Sequence, residues 1–124
     1  MTDREGAAAE YFSTLDARDW AAFGALLAED VVYEMPQTRE RIVGRERYVR
    51  FNREYPGEWR LEARRVVTEG RHAAALVDFW IGEDHQAACV WLDFDEAGLI
   101  IRVTDFWPEP YDPPPGREHL VERY

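Results

Sequence analysis

Near the start of the chain Ala8, Tyr11, Phe12 and Leu15 fall three and four residues apart, the spacing of a helix with one buried stripe. Thr2-Asp3-Arg4-Glu5 ahead of it has the form of a capping box, in which a hydroxyl and a carboxylate three residues on satisfy free N–H groups of the first turn. Asp19 is a second N-cap candidate, followed by Trp20, Phe23, Leu26 and Leu27 on one face. Gly24 weakens that helix by about 1 kcal/mol relative to Ala without breaking the pattern. Val31 to Met35 is β-branched and aromatic, reads as a short strand, and is closed by Pro36. Residues 37–43 are polar and irregular. After Gly44, the positions Tyr48, Phe51, Asn52 and Tyr55 mark a third helix, stopped by Pro56-Gly57.

From Trp59 onward the period changes to that of strands. The pattern predicts strands over 59–69, 72–81, 85–95 and 99–107, separated by turns at Gly70-Arg71, Gly82-Glu83-Asp84 and Glu96-Ala97-Gly98. Turns this short imply an antiparallel meander. Pro108, Pro110 and Pro113-Pro114-Pro115 force an extended segment, and the amphipathic stretch Arg117 to Tyr124 is expected to dock back on the body. The order predicts one α+β domain over 1–124, with three N-terminal helices packed on one face of a strongly curved, mostly antiparallel sheet. A bent sheet covered by helices leaves a concave space between the two layers, where a small molecule can sit.

Composition supports a real core and narrows the partners. The chain has 124 residues, of which 46% are hydrophobic and 14% aromatic, enough to exclude disorder over most of its length. Acidic residues outnumber basic ones by 25 to 15, a net charge of -10, and every basic residue is Arg. An acidic chain repels phosphate backbones and anionic bilayers, so no nucleic-acid or membrane partner is expected. Without lysine there is no imine chemistry. A single cysteine, Cys89, excludes an intrachain disulfide and a cysteine-built zinc site. The charged N-terminus lacks a signal-peptide core, and no apolar run approaches the ~20 residues of a membrane span. These features point to a soluble protein of the reducing cytoplasm.

The segments Leu15-Asp16-Ala17-Arg18-Asp19-Trp20, Leu26-Leu27-Ala28-Glu29-Asp30-Val31 and Gly44-Arg45-Glu46 resemble the N-terminal half of the SnoaL-like branch of the nuclear transport factor 2-like superfamily. Asp95-Glu96-Ala97-Gly98-Leu99-Ile100-Ile101 with Asp105-Phe106-Trp107 is similar to its last hairpin and strand. The resemblance covers nearly the whole chain. It implies a cone-shaped α+β barrel with a deep pocket, commonly in a homodimer. It does not imply one activity: relatives include polyketide cyclases, ketosteroid isomerases, epoxide hydrolases, dehydratases and binding modules, so function rests on the site.

Asp105 is the first catalytic candidate. Alternation along the last strand sets it with Ile101, Val103 and Trp107 on one side, and a desolvated carboxylate there acquires a pKa suited to proton transfer. By resemblance it falls where SnoaL-like cyclases and limonene epoxide hydrolases keep their acid/base aspartate. A structural aspartate paired with Arg102 or Arg64 is the other reading. Tyr11, on the buried stripe of the first helix, falls where ketosteroid isomerases keep an oxyanion-hole tyrosine, or is a core aromatic with a satisfied hydroxyl. Met35 and Val90 occupy the positions of the isomerase base and its second oxyanion donor, and neither can do that work, which excludes the isomerase mechanism. The epoxide-hydrolase set also lacks its Arg and second Asp, since the inward residues Ala88, Val90, Leu92 and Phe94 offer neither and the facing of Asp78 is ambiguous.

The expected ligand contacts are Tyr33, Met35, Trp20, Val90, Val103 and Trp107, around a small hydrophobic ligand, cyclic or polyketide-like. His72, His85 and His119 have no carboxylate at metal-ligand spacing, so no metal is expected, and no cofactor is required for proton transfer at an activated carbon. Trp91 has the parity opposite to Val90 and Leu92. On the outer face of the sheet it suggests a subunit contact and hence a homodimer. The proline-rich tail is either a rim across the pocket mouth or a strap over a sheet edge. A non-catalytic carrier of an apolar metabolite and a purely structural dimerisation module remain the alternatives to an enzyme.

Overall fold

The computed structural model describes residues 4–124. The capping box expected at Thr2-Asp3-Arg4-Glu5 depends on residues outside that range. Three helices, α1 (Arg4–Ala17), α2 (Trp20–Ala25) and α3 (Arg45–Arg53), pack on a sheet of six strands: β1 (Leu27–Met35), β2 (Glu40–Val43), β3 (Trp59–Glu69), β4 (His72–Ile81), β5 (Asp84–Phe94) and β6 (Ile100–Phe106). The spatial order is β2-β1-β6-β5-β4-β3. Every neighbouring pair is antiparallel except β1 with β6, which are parallel. The predicted α+β class holds, but the sheet is open, with β2 and β3 as its edges, where the family resemblance implied a closed barrel.

The stripe Ala8, Tyr11, Phe12 and Leu15 is buried. Asp19 caps α2 by accepting from the Ala22 N–H at 3.2 Å, but α2 stops at Ala25 and Leu27, expected on its face, opens β1 instead. The Leu26 carbonyl accepts from the Ile100 N–H at 2.9 Å, so pairing to the last strand overrides helical spacing at this point. Residues 40–43, expected to be irregular, form the edge strand β2 against β1.

Three irregularities bend the sheet: in β1 between Leu27 and Val32, at Arg64 in β3, and at Ile101 in β6. The bulge turns Ile101 to solvent, so it does not share a side with Val103 and Asp105 as expected. The inner face is carried by Ala73, Ala75, Val77 and Phe79 of β4 and by Ala88, Val90, Leu92 and Phe94 of β5. Gly57 (φ 91°) lets the chain pass close to Ile81; a Cβ there would lie 2.7 Å from the Ile81 Cδ1. After β6 the chain has no further strand or helix. Leu120, Val121 and Tyr124 are exposed, so the terminal stretch does not dock its apolar residues as expected.

Candidate functional site

Parallel pairing sets Tyr33 beside Val103, and Asp105, two residues further along β6, projects to the same side. The Tyr33 hydroxyl donates to Asp105 Oδ2 at 2.8 Å. On α3 the spacing of Tyr48, Phe51 and Asn52 directs all three toward the sheet; the helix ends at Arg53, earlier than the expected stop at Pro56, so Tyr55 lies just beyond it. The Tyr48 ring stacks on Tyr33, centroids 4.8 Å apart at 22°, and its hydroxyl is hydrogen-bonded to that of Tyr11 from α1. The Asn52 amide donates to the Tyr48 carbonyl at 2.9 Å, which fixes the face of the helix.

These groups border a cavity of about 310 Å³ between the helices and the inner face of the sheet, at the small end of ligand pockets. Aromatic rings run around it in sequence: Tyr33 to Phe51 (5.5 Å between centroids), Phe51 to Tyr55 (6.0 Å), Tyr55 to Phe79 (6.3 Å) and Phe79 to Trp107 (4.9 Å). Trp107 is held from behind by Gln37, whose side-chain amide donates to the Trp107 carbonyl and whose amide oxygen accepts from the Trp107 N–H. The side chain thereby continues the ladder past Pro36, which has no N–H to offer. Glu109 in the tail also borders the cavity.

Burial pushes the Asp105 carboxyl above the usual carboxylate range, opposed in part by the Trp107 indole and the Tyr33 hydroxyl, which favour the charged form. The buried indole Nε1–H of Trp107 meets no acceptor at full hydrogen-bond geometry among the described residues. Tyr33 is raised by burial and then by the Asp105 charge, as is Tyr48. Tyr11 is raised by burial and then by Tyr48. All three phenols therefore remain protonated donors at neutral pH. Among the described residues no Arg and no His borders the cavity.

Of the residues singled out in the sequence, Asp105, Tyr11, Tyr33, Met35, Val90 and Trp107 line this cavity. Trp20 and Val103 do not. Trp20 packs edge-on against Phe23 and borders a separate surface depression between α2 and α3, while Val103 is fully enclosed in the core. The two arginines considered as partners of Asp105 are engaged elsewhere, Arg102 with Glu34 and Arg64 with Asp78. Asp78 faces outward, where His85 also meets it at 2.8 Å, so it supplies no second carboxylate to the cavity. Among the described residues no group of three or more His, Cys, Asp or Glu could hold a metal ion.

Tyr48, Phe51, Asn52, Tyr55 and Phe79 were not singled out as site residues. For the α3 group the signal was present: the spacing that marks the helix also puts its aromatic residues on one face. For Phe79 it was the alternation of β4, which separates Val77 and Phe79 from Asp78 and Trp80.

No curated protein matches the chain. Among solved structures it is similar to a candidate ketosteroid isomerase of Kribbella flavida DSM 17836, at 54% identity and TM-score 0.95, covering 98% of this chain and 89% of that one. It shares its fold with an NTF-2 like protein of unknown function from Burkholderia xenovorans LB400 (21% identity, TM-score 0.83, covering 98% and 94%). A candidate polyketide cyclase of Xanthomonas campestris pv. campestris has the same fold (23% identity, TM-score 0.68, covering 85% and 90%). Residues 8–105, from the buried stripe of α1 to the carboxylate at the end of β6, match the SnoaL-like domain, and the chain belongs to that family.

Proposed function

We propose that the cavity binds a small hydrophobic molecule and that Asp105 acts on it as a general acid/base without a cofactor. The observation that carries this reading is the 2.8 Å hydrogen bond from Tyr33 to Asp105 at the wall of an aromatic cavity. Burial raises the affinity of this carboxyl for a proton, and the bond from Tyr33 to Oδ2 orients it at the cavity wall for proton exchange with a substrate. Tyr11 and Tyr48 share one hydroxyl proton between their oxygens, so the second O–H is available to a ligand oxygen on which charge develops. The activity named for the Kribbella protein supports proton-transfer chemistry of this class. Met35 and Val90 carry no exchangeable proton, which leaves Asp105 as the candidate base on the inner face of the sheet. Asp105→Asn in a turnover assay over a panel of cyclic ketones and polyketide-like phenols is expected to lower kcat at least 100-fold; undiminished turnover overturns the assignment.

A non-catalytic carrier is the second reading, favoured by the absence, among the described residues, of an Arg or His beside Asp105 to complete a catalytic set. Ligand quenching of tryptophan fluorescence with no product formed supports it over the first.

The reading includes a homodimer in the cytoplasm, to which an unpaired Cys89 is suited. Register aligns Leu76, Cys89 and Phe106 across β4, β5 and β6 on the outer face, with Val67, Ala74 and Trp91 in the next row. Trp91 is 47% exposed and Val67 58%, exposed apolar side chains on one face of the kind that subunits cover.

A further inference from the structure

Asp105 stands in the cavity wall without a counter-ion. The arginines nearest in sequence or register are committed outside: Arg102 and Arg41 to Glu34, Arg64 to Asp78, Arg60 to Asp16. Among the described residues the only cation stacked on a cavity ring is Arg18, over Trp59 at 3.7 Å, and Arg18 itself does not border the cavity. A buried carboxylate is costly unless an opposite charge meets it, and among the described residues no Arg or His borders the cavity to supply one. What it does supply is π surface. Tyr33, Phe51, Tyr55, Phe79 and Trp107 follow one another around the cavity, and the circuit closes on Asp105, bonded to Tyr33 at one end and two residues from Trp107 at the other. Glu109 adds a second negative group at the border.

We propose that the ligand of this cavity is a small hydrophobic cation, an amine or quaternary ammonium, held by aromatic faces and by Asp105. The proposal rests on the pocket reading above and specifies its ligand class. Ring faces carry the negative end of the quadrupole and attract a cation. A quaternary nitrogen needs no hydrogen-bond acceptor, which suits a wall made largely of aromatic rings. An anionic ligand would meet Asp105 and Glu109 with no compensating charge. The net charge of -10 also raises the local concentration of cations around the protein.

The test compares benzyltrimethylammonium with its uncharged isostere neopentylbenzene and with 3-phenylpropionate, each titrated against tryptophan fluorescence of the full chain. The cation is expected to bind at least tenfold more tightly than the hydrocarbon, and the carboxylate not at all. Asp105→Asn is expected to reduce the preference of the cation over the hydrocarbon below threefold. Should that variant not fold by circular dichroism, Phe51→Leu is expected to weaken the cation at least threefold more than the hydrocarbon. Equal or tighter binding of neopentylbenzene, or a preference for the cation indifferent to the substitution made, overturns the proposal and leaves the hydrophobic pocket standing. Binding of none of the three at millimolar concentration overturns both.

Discussion

Tyr33 and Asp105 are 72 residues apart in sequence, and the hydroxyl of one donates to the carboxylate of the other at 2.8 Å. Their meeting depends on the one parallel pairing in the sheet, β1 beside β6, which sets Tyr33 opposite Val103 and Asp105 one pleat beyond it. The bond joins β1 to the last strand of the meander, so it contributes to both the fold and the site.

Tyr33→Phe removes the donor and nothing else of the ring. Because the hydroxyl favours the charged carboxylate, its loss raises the Asp105 pKa further. The acid limb of the pH–rate profile of kcat/KM is therefore expected to move to higher pH, with a loss of stability of about 1.5–3 kcal/mol for a hydrogen bond to a charged group. Denaturant melts and a pH–rate profile on the same variant separate the two effects. A stability loss with an unmoved profile would mean that Asp105 is not the group that titrates in turnover.

Asp105→Asn is expected to change how stability depends on pH. Burial holds the carboxyl pKa of the folded chain above that of the unfolded chain, so over the interval between them the folded form keeps a proton that the unfolded form releases. The stabilisation from this group is fully present below the unfolded pKa of about 3.9 and is lost as pH rises through the folded pKa. Asn does not titrate. The variant and the parent are expected to melt alike at the acid end, with the variant gaining on the parent as pH rises toward neutrality. Asp16, Glu34 and Asp78, all held below the usual carboxylate range by arginine partners, lose stabilisation in acid in both proteins and cancel in the difference. A Tm difference constant with pH would mean that Asp105 is not desolvated.

The α+β class, the long strands and the inward sides of β4 and β5 were legible because a strand with one buried face must alternate. The carboxylate at 105 was legible for the same reason. Its partner was less so: parallel pairing of β1 with β6 is a long-range event that no local pattern in Val31 to Met35 announces. Edge strand β2 is likewise set by its partner, since Glu40-Arg41-Ile42-Val43 has too little apolar character to declare itself. Trp20 went astray because helical spacing identifies a buried face without saying which neighbour buries it, here Phe23 and not the cavity. Ile101 went astray because a bulge shifts parity by one residue and leaves no mark in the sequence.

The paired hydroxyls of Tyr11 and Tyr48 form a double-mutant cycle. Both side chains are buried, so either single change to Phe leaves the other hydroxyl without its partner and is expected to cost about 1–3 kcal/mol, whereas the double change removes both polar groups and costs little more than one. Urea melts of the four proteins measure the coupling. Additive losses would mean that each hydroxyl has another partner, such as an ordered water, and that the pair holds no free O–H for a ligand.

Gln37 decides what the tail does. Its side chain takes both backbone hydrogen-bonding groups of Trp107, the residue whose ring packs edge-on against Phe79 in the cavity wall and whose neighbour segment brings Glu109 to the border. The clasp lies on the exposed side, so Gln37→Ala is expected to lower global stability by no more than about 1–2 kcal/mol. Locally the effect is larger: amide exchange at Trp107 is expected to accelerate at least tenfold, while exchange within β4 and β5 stays unchanged. If the tail serves as a rim of the pocket, the freed Trp107 ring also weakens ligand binding, seen as a raised Kd for the tightest ligand of the panel. If it only covers a sheet edge, exchange accelerates and Kd does not move, because the cavity wall then keeps its shape without the clasp.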